Sequence, residues 1–333
     1  MKKKRMCIAI AGLAAAPVFA QSNVTISGML TLSYSNYKIS NSIRPVAVEN
    51  RLDDNASRFT LKGSEELDGG LSAYFQIDNR VSVDTRPHTA FGNAQGLADG
   101  ESFVGLKSNQ LGAIGFGKFA MHYHEGLGYS ETYRAPSTQM YAATAILGQI
   151  GRTDVGPQYL AGNTRQQNAI KYDTPTWNGL SAKLIYSFSP FGNEGTLSNT
   201  SLIGGCGSYG STCVPTPATN RDYNAGYSWN VAGRYFNGPY NLVLSYYRFK
   251  PENNVHLAGQ ESWKMHADYK FPFGLQVGVG YDNSMVEGLT SATDRRRSAW
   301  MIPLTYRFGP HAVYLTYAKA NSVSGISHSG ARQ

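Results

Sequence analysis

Arg58, Thr60 and Lys62 alternate with Phe59, Leu61 and Gly63 in the stretch SRFTLKG. Period 2 puts two cations on one face of a strand and the apolar side chains on the other. Fixed cations on one wall attract and sort anions but make and break no bonds. Lys118 in GKF precedes a long polar stretch, Met121 to Arg165, that carries Glu125, Glu131, Asp154, Arg134, Arg152 and Arg165. His122 and His124 in HYH are spaced to share a strand face. Two imidazoles without a third ligand do not make a metal site. There is no glycine-rich loop ending in Lys-Ser/Thr, no GxSxG elbow and no HExxH. The available chemistry is electrostatic, so neither an enzyme nor a cofactor nor a metal is expected.

The elements that would position these charges are strands. SRFTLKGSEEL and LSAYFQID flank Asp68-Gly69-Gly70, which reads as a hairpin. Further short turns are expected at 109–112, 177–179, 237–239, 272–274 and 308–310, between alternating runs of roughly ten residues. Long polar connections are expected at 38–55, 83–100, 121–165 and 190–221. Short turns on one rim and long loops on the other suit a barrel that crosses an outer membrane.

The 333 residues include 36 Gly and 22 Tyr, and the mean hydropathy is −0.33. Residues 1–20 read as a signal peptide, with Lys2, Lys3, Lys4 and Arg5 before a short apolar run and a Val18-Phe19-Ala20 cleavage site. Residues 21–333 are then one β domain. Losing those four cations takes the formal net charge from +8 to +4, too little for a nucleic-acid surface. Cys206 and Cys213, close together in GGCGSYGSTCVP, suit a local disulfide in an oxidising compartment.

WKMHADYKF decides which way the faces point. Trp263, Met265, Ala267, Tyr269 and, with a bulge, Phe271 share one face; Lys264, His266, Asp268 and Lys270 share the other. Four ionisable groups on one face need water, and a charge at the bilayer midplane costs ~2–4 kcal/mol. The charged face is therefore expected to line a wet lumen and the apolar face to meet lipid. Aromatics near strand ends, Trp177, Trp263, Tyr269, Trp300 and Phe308 among them, are expected to form two interfacial girdles.

SNVTISGML, SRFTLKGSEELDGGLSAYFQID, SFVGLKSNQLGAIGFGKF, RQQNAIKYDTPTWNGLSAKLIYSF and YRFGPHAVYLTYAK resemble the general porins of Gram-negative outer membranes, in their betaproteobacterial branch. The resemblance implies a 16-stranded antiparallel transmembrane β-barrel and a homotrimer in outer-membrane lipid. It also implies a third loop folded inward and passive diffusion of small hydrophilic solutes, often anions. About thirteen strands are countable here, starting near Asn23, Ala56, Gly70, Glu101, Gly112, Gln166, Leu180, Tyr223, Tyr240, Gln260, Leu275, Arg296 and Ala312. SHSGARQ resembles the first residues of the family's next strand. The last strand, which the family offers through its terminal aromatic to the barrel-assembly machinery, is not seen, so about three strands are expected to be missing by truncation.

By the resemblance, Met121 to Arg165 corresponds to the loop that narrows the pore. Acids on that loop (Glu125, Glu131) would face bases on the wall, giving a transverse field. Arg58 matches the family's inward arginine, Lys62 shares its parity, and Lys118 stands where relatives carry arginine. Arg152 and Arg165 complete the candidates. Parity puts Lys118 with Ile114 and Phe116, so its placement in the lumen requires a bulge or a rim position. Arg295-Arg296-Arg297 is read as an exposed rim patch where lipopolysaccharide phosphates could dock. An outer-membrane β-barrel hydrolase, a soluble secreted β protein and a non-functional truncated porin are the alternatives.

Overall fold

A computed structural model describes residues 23–30, 32–39, 46–54, 57–81, 83, 97–98, 100–122, 165–188, 226–250, 259–287, 294–322, 324 and 331–332. Sixteen strands are present among them. They are β1 Asn23–Met29, β2 Leu32–Ile39, β3 Val46–Asp54, β4 Arg58–Leu67, β5 Leu71–Arg80, β6 Ser102–Ser108, β7 Gly112–Ala120 and β8 Arg165–Asp173. They continue with β9 Leu180–Ser187, β10 Tyr227–Asn237, β11 Tyr240–Lys250, β12 Gln260–Lys270, β13 Leu275–Val286, β14 Arg295–Phe308, β15 His311–Ala320 and β16 Ala331–Arg332.

One antiparallel sheet of fourteen strands runs β1, β4 and then β5 to β16 in chain order. Each strand from β4 onward pairs with the next, so the sheet is a continuous meander. The thirteen strand starts expected from the sequence are β1 and β4 to β15, and SHSGARQ supplies the two-residue β16 paired with Lys319 and Ala320. Among the described residues β1 and β16 share no pairing.

β2 and β3 form a separate two-stranded sheet. β3 corrects the expectation of a loop over 38–55. VAVENRLDD does alternate, and Asn41 and Pro45 are turn formers ahead of it, but among so many polar residues the stretch reads equally well as one long connection. Asn50 Oδ1 accepts from Tyr34 Oη at 2.8 Å and from Asn36 Nδ2 at 2.6 Å.

The opening hairpin forms as expected. β4 and β5 pair from Leu67 opposite Leu71 to Arg58 opposite Arg80. Gly69 and Gly70 both take φ +75, a left-handed conformation that glycine adopts without a Cβ penalty. The other tight connections join β6–β7, β8–β9, β10–β11, β12–β13 and β14–β15, all at one rim. The longer connections 81–101, 121–164, 188–226, 251–259 and 287–294 belong to the other rim.

The two faces of this sheet are inverted relative to a water-soluble protein. On β12 the charged face is hidden: Lys264 is 7% exposed, His266 3% and Asp268 8%. The apolar face of the same sheet is open, with Leu244 50% exposed and Leu315 65%. The hidden face is the inside of a curl. Phe119 of β7 shares a buried cluster with Tyr247 and Phe249 of β11, four strand spacings away, or about 19 Å on a flat sheet. Among the described residues no helix is long and apolar enough to cross a membrane.

Two aromatic rows border the open face. Near the long-connection rim, Tyr186 stacks on Tyr227, and Trp229 packs tilted against Tyr246, Trp263 against Tyr281 and Trp300 against Tyr317. Near the tight-turn rim, Tyr240 meets Tyr269, Tyr269 meets Phe271, and Tyr306 meets Phe308. Trp263 and Tyr269 lie six residues apart on β12, roughly 20 Å along a strand. Only apolar side chains, Met265 and Ala267, face outward between them.

Candidate functional site

The cations singled out on β4 meet a second set on β5. Arg58 is registered opposite Arg80, Thr60 opposite Asp78 and Lys62 opposite Gln76. Phe59 is open on the outer face and Thr60 hidden, so Arg58, Thr60 and Lys62 turn inward, and Asp78 and Arg80 with them. Arg80 Nη2 donates to Asp78 Oδ2 at 3.0 Å. Asp78 is also fixed through its backbone, its N–H on Ser102 Oγ at 3.1 Å and its carbonyl on the Gly100 N–H at 2.9 Å. The result is a wall with three inward cations, Arg58, Lys62 and Arg80, and two inward acids, Asp78 beside Arg80 and Glu66 toward the turn, where it accepts from Ser72 Oγ at 2.8 Å.

The start of the longest connection folds inward. Phe119, Met121 and His122 are all 0% exposed. Neutral apolar residues just after a strand would face lipid or solvent if the chain ran straight on. Instead His122 crosses to the far wall. Its Nδ1 is 2.8 Å from Ser245 Oγ of β11, and its Nε2 is 3.3 Å from Asp282 Oδ2 of β13. Asn230 Nδ2 donates to Ser245 Oγ at 2.9 Å, and Ser284 Oγ donates to Asp282 Oδ1 at 2.5 Å. The His122 ring stacks on Tyr247 at 6.2 Å. Burial pushes the imidazole down to about 4, against the Asp282 bond, which works to raise it.

This packing makes the interior uneven. Over β8 to β13 it is filled. Gln166 Nε2 donates to Tyr247 Oη at 2.8 Å, Ser228 Oγ bonds Gln166 Oε1, and Lys183 Nζ reaches the Ala120 carbonyl at 3.3 Å. Asp268 collects Asn241, His266 and Gln276. Over β4 and β5 the inward side chains Arg58, Lys62 and Tyr74 stay at least partly open. Among the described residues, then, the inward side chains are more open over β4 and β5, and residues 119–122 pack against the wall over β8 to β13.

Lys118 is registered opposite Ser102, and its Nζ donates to the Ala98 carbonyl at 3.0 Å. The register shift near it lies between Gly117 and Phe119 against β8, where Asn168 takes φ +50. β7 itself keeps its parity, so Phe119, and not Lys118, is the inward residue there. Arg165 opens β8 opposite Ala120 and is partly buried. Glu125, Glu131, Arg152, Cys206 and Cys213, with the signal segment 1–20, lie outside the described residues. Arg295-Arg296-Arg297 is not one exposed patch. Strand alternation leaves Arg296 open and turns Arg297 inward, 7% exposed, opposite Ser284. Among the described residues no group of three His, Cys, Asp or Glu side chains could hold a metal.

Arg80 and Asp78 share the parity of Tyr74 and Gln76 in LSAYFQIDNR, so their inward placement was legible in the alternation. The His122–Asp282 contact spans 160 residues, and no local pattern announces it.

A meander with an apolar outside, a charged inside and an inward-turned connection defines an antiparallel transmembrane β-barrel. The Gram-negative porin family matches residues 7–333, and the chain belongs to it. An outer membrane porin protein of Bordetella pertussis is 27% identical over 252 residues, 74% of this chain and 53% of that protein. The major outer membrane protein P.IB of Neisseria sicca is 26% identical over 190 residues, 56% of this chain and 47% of that one. The chain thus spans about half the length of the curated relatives it matches. The anion-selective porin from Comamonas acidovorans shares the fold, with a TM-score of 0.59 at 20% identity, over 90% of this chain and 79% of that one.

Proposed function

We propose that this protein is an outer-membrane porin: a channel for passive diffusion of small hydrophilic solutes and ions, mildly selective for anions. The observation that carries the reading is the inverted sheet, whose ionisable residues are inward and whose aliphatic residues are open. Arg58, Lys62 and Arg80 supply the positive wall of the constriction. The connection 121–165 narrows it from the other side, with Glu125, Glu131, Arg152 and Arg165 contributing charge. Lys118 braces the neighbouring connection through Ala98. The protein works as a homotrimer in outer-membrane lipid and lipopolysaccharide. Residues 1–20 export it, the barrel-assembly machinery inserts it, and Cys206–Cys213 closes a local loop. It acts without enzymatic chemistry, cofactor or nucleic acid.

Reversal potential across a planar bilayer in a salt gradient tests this. Anion preference that weakens when Arg58, Lys62 and Arg80 are replaced by Gln supports the assigned field. Cation preference untouched by those changes overturns it.

A further inference from the structure

We propose that the inner wall between β5 and β8 holds a stacking site for planar organic anions, arene carboxylates the size of benzoate, formed by Tyr74, Phe103 and Lys171. The proposal rests on the reading of this face as the inside of a channel.

Three registers place the side chains on the inner face. Tyr74 is opposite Ser64, Phe103 opposite Gln76, and Lys171 opposite Gly115. Tyr74 meets Phe103 edge-on, with centroids 5.5 Å apart at 65°. Phe103 lies on Phe119 at 5.1 Å and 27°. Phe119 is fully buried and forms the backing. Lys171 Nζ stands 5.2 Å from the Phe103 centroid and 5.0 Å from that of Phe119. Asp173 Oδ2 holds the same ammonium at 2.9 Å.

Two glycines let the rings pack close to the wall. A Cβ at Gly105 would sit 2.8 Å from Tyr74 Cε1, and one at Gly115 would sit 3.0 Å from Phe119 Cζ and 3.3 Å from Tyr74 Oη. With hydrogen at both positions the aromatics press against the wall and present faces and edges inward. Tyr74 and Phe103 are half-buried, and the Lys171 side chain keeps 14% of its surface. A second cation is at hand: Lys62 is exposed and opposite Gln76, the next inward residue after Tyr74, about 7 Å along the strand.

This arrangement selects for shape and charge together. The edge-on pair of Tyr74 and Phe103, both partly open, offers edge and face contacts to a ring. An ammonium has three donors, so Lys171 keeps two beside its bond to Asp173. Lys171 and Lys62 offer donors to a carboxylate, and Asp173 and Glu101 on the same stretch of wall temper their charge. Asp173 and the two rings hold Lys171 in place before any solute arrives, which lowers the ordering cost of binding.

The test is a saturation-transfer NMR titration of the full chain, purified and folded in detergent micelles, with benzoate, cyclohexanecarboxylate and acetate. Benzoate is expected to bind saturably and the two non-aromatic acids at least ~tenfold more weakly. Tyr74→Leu and Lys171→Gln are each expected to weaken benzoate about tenfold, while Tyr74→Phe, which keeps the ring, stays within about threefold. Equal binding of benzoate and cyclohexanecarboxylate overturns the proposal, as does unsaturable benzoate binding by the folded parent chain. A chain that binds benzoate but passes no ions keeps this site and sinks the channel reading. One that conducts but does not discriminate benzoate sinks this site alone.

Discussion

Arg58 and Arg80 stand directly opposite each other across β4 and β5, on the same inward face, with Asp78 bonded to Arg80 beside them. Like charges in register destabilise a strand pair. Asp78 relieves the repulsion without cancelling the surplus, so the wall keeps a positive field where a solute would pass. Replacing Arg80 with Gln is expected to lower the anion-to-cation permeability ratio about two- to threefold. Replacing Asp78 with Asn should raise it. Reversal potentials at two salt concentrations check both, because screening weakens the field as salt rises.

His122 carries a pH signature. It is buried and held well below its ordinary value, near 4. Between the unfolded value of about 6.5 and 4, the unfolded chain takes up the proton and the folded chain does not. Stability therefore falls as pH drops through that window, by roughly 2–3 kcal/mol at its lower end. Urea unfolding at pH 7 and pH 4.5 should show the loss, and His122→Gln should remove this increment while leaving the background carboxylate titration.

Asp282 anchors the inward segment through His122 and accepts from Ser284. Removing the carboxylate leaves two buried donors with a poorer partner, worth about 1.5–3 kcal/mol by the usual cost of charged hydrogen bonds. Asp282→Ala is expected to lower the urea midpoint by that amount and to quicken proteolysis near Met121. Ser262→Ala, which loses one neutral bond to Ser284, should cost about 1 kcal/mol.

The inverted faces make a geometric prediction. A quencher dissolved in the acyl chains should reach a fluorophore on Cys introduced at Phe59 or Leu244, and should miss one at Arg58 or Ser245. Leu244→Arg should weaken insertion by ~2–4 kcal/mol, falling toward zero for Leu180→Arg near the turn rim.

The alternation in SRFTLKG and LSAYFQID made Arg58, Lys62 and Asp78 legible, because a strand beside an Asp-Gly turn has only two faces to choose from, and Arg80 follows by carrying the same alternation two residues further. The same rule applied to Arg295-Arg296-Arg297 would have split them. Treating three adjacent cations as one patch ignored the pleat. β3 was hidden because its charged residues merge with the polar SNSIRP stretch before it into what reads as one long connection. The packed half of the interior was hidden for a different reason. His122, Ser245 and Asp282 meet only after the sheet has curled, and nothing within a strand's length of any of them encodes the others.

That long-range contact has a consequence for biogenesis. His122 meets Ser245, 123 residues further along the chain, and Asp282, 160 further, so its docking needs β11 and β13 standing in the wall. Protease resistance at Met121 would report whether those staves have been laid down.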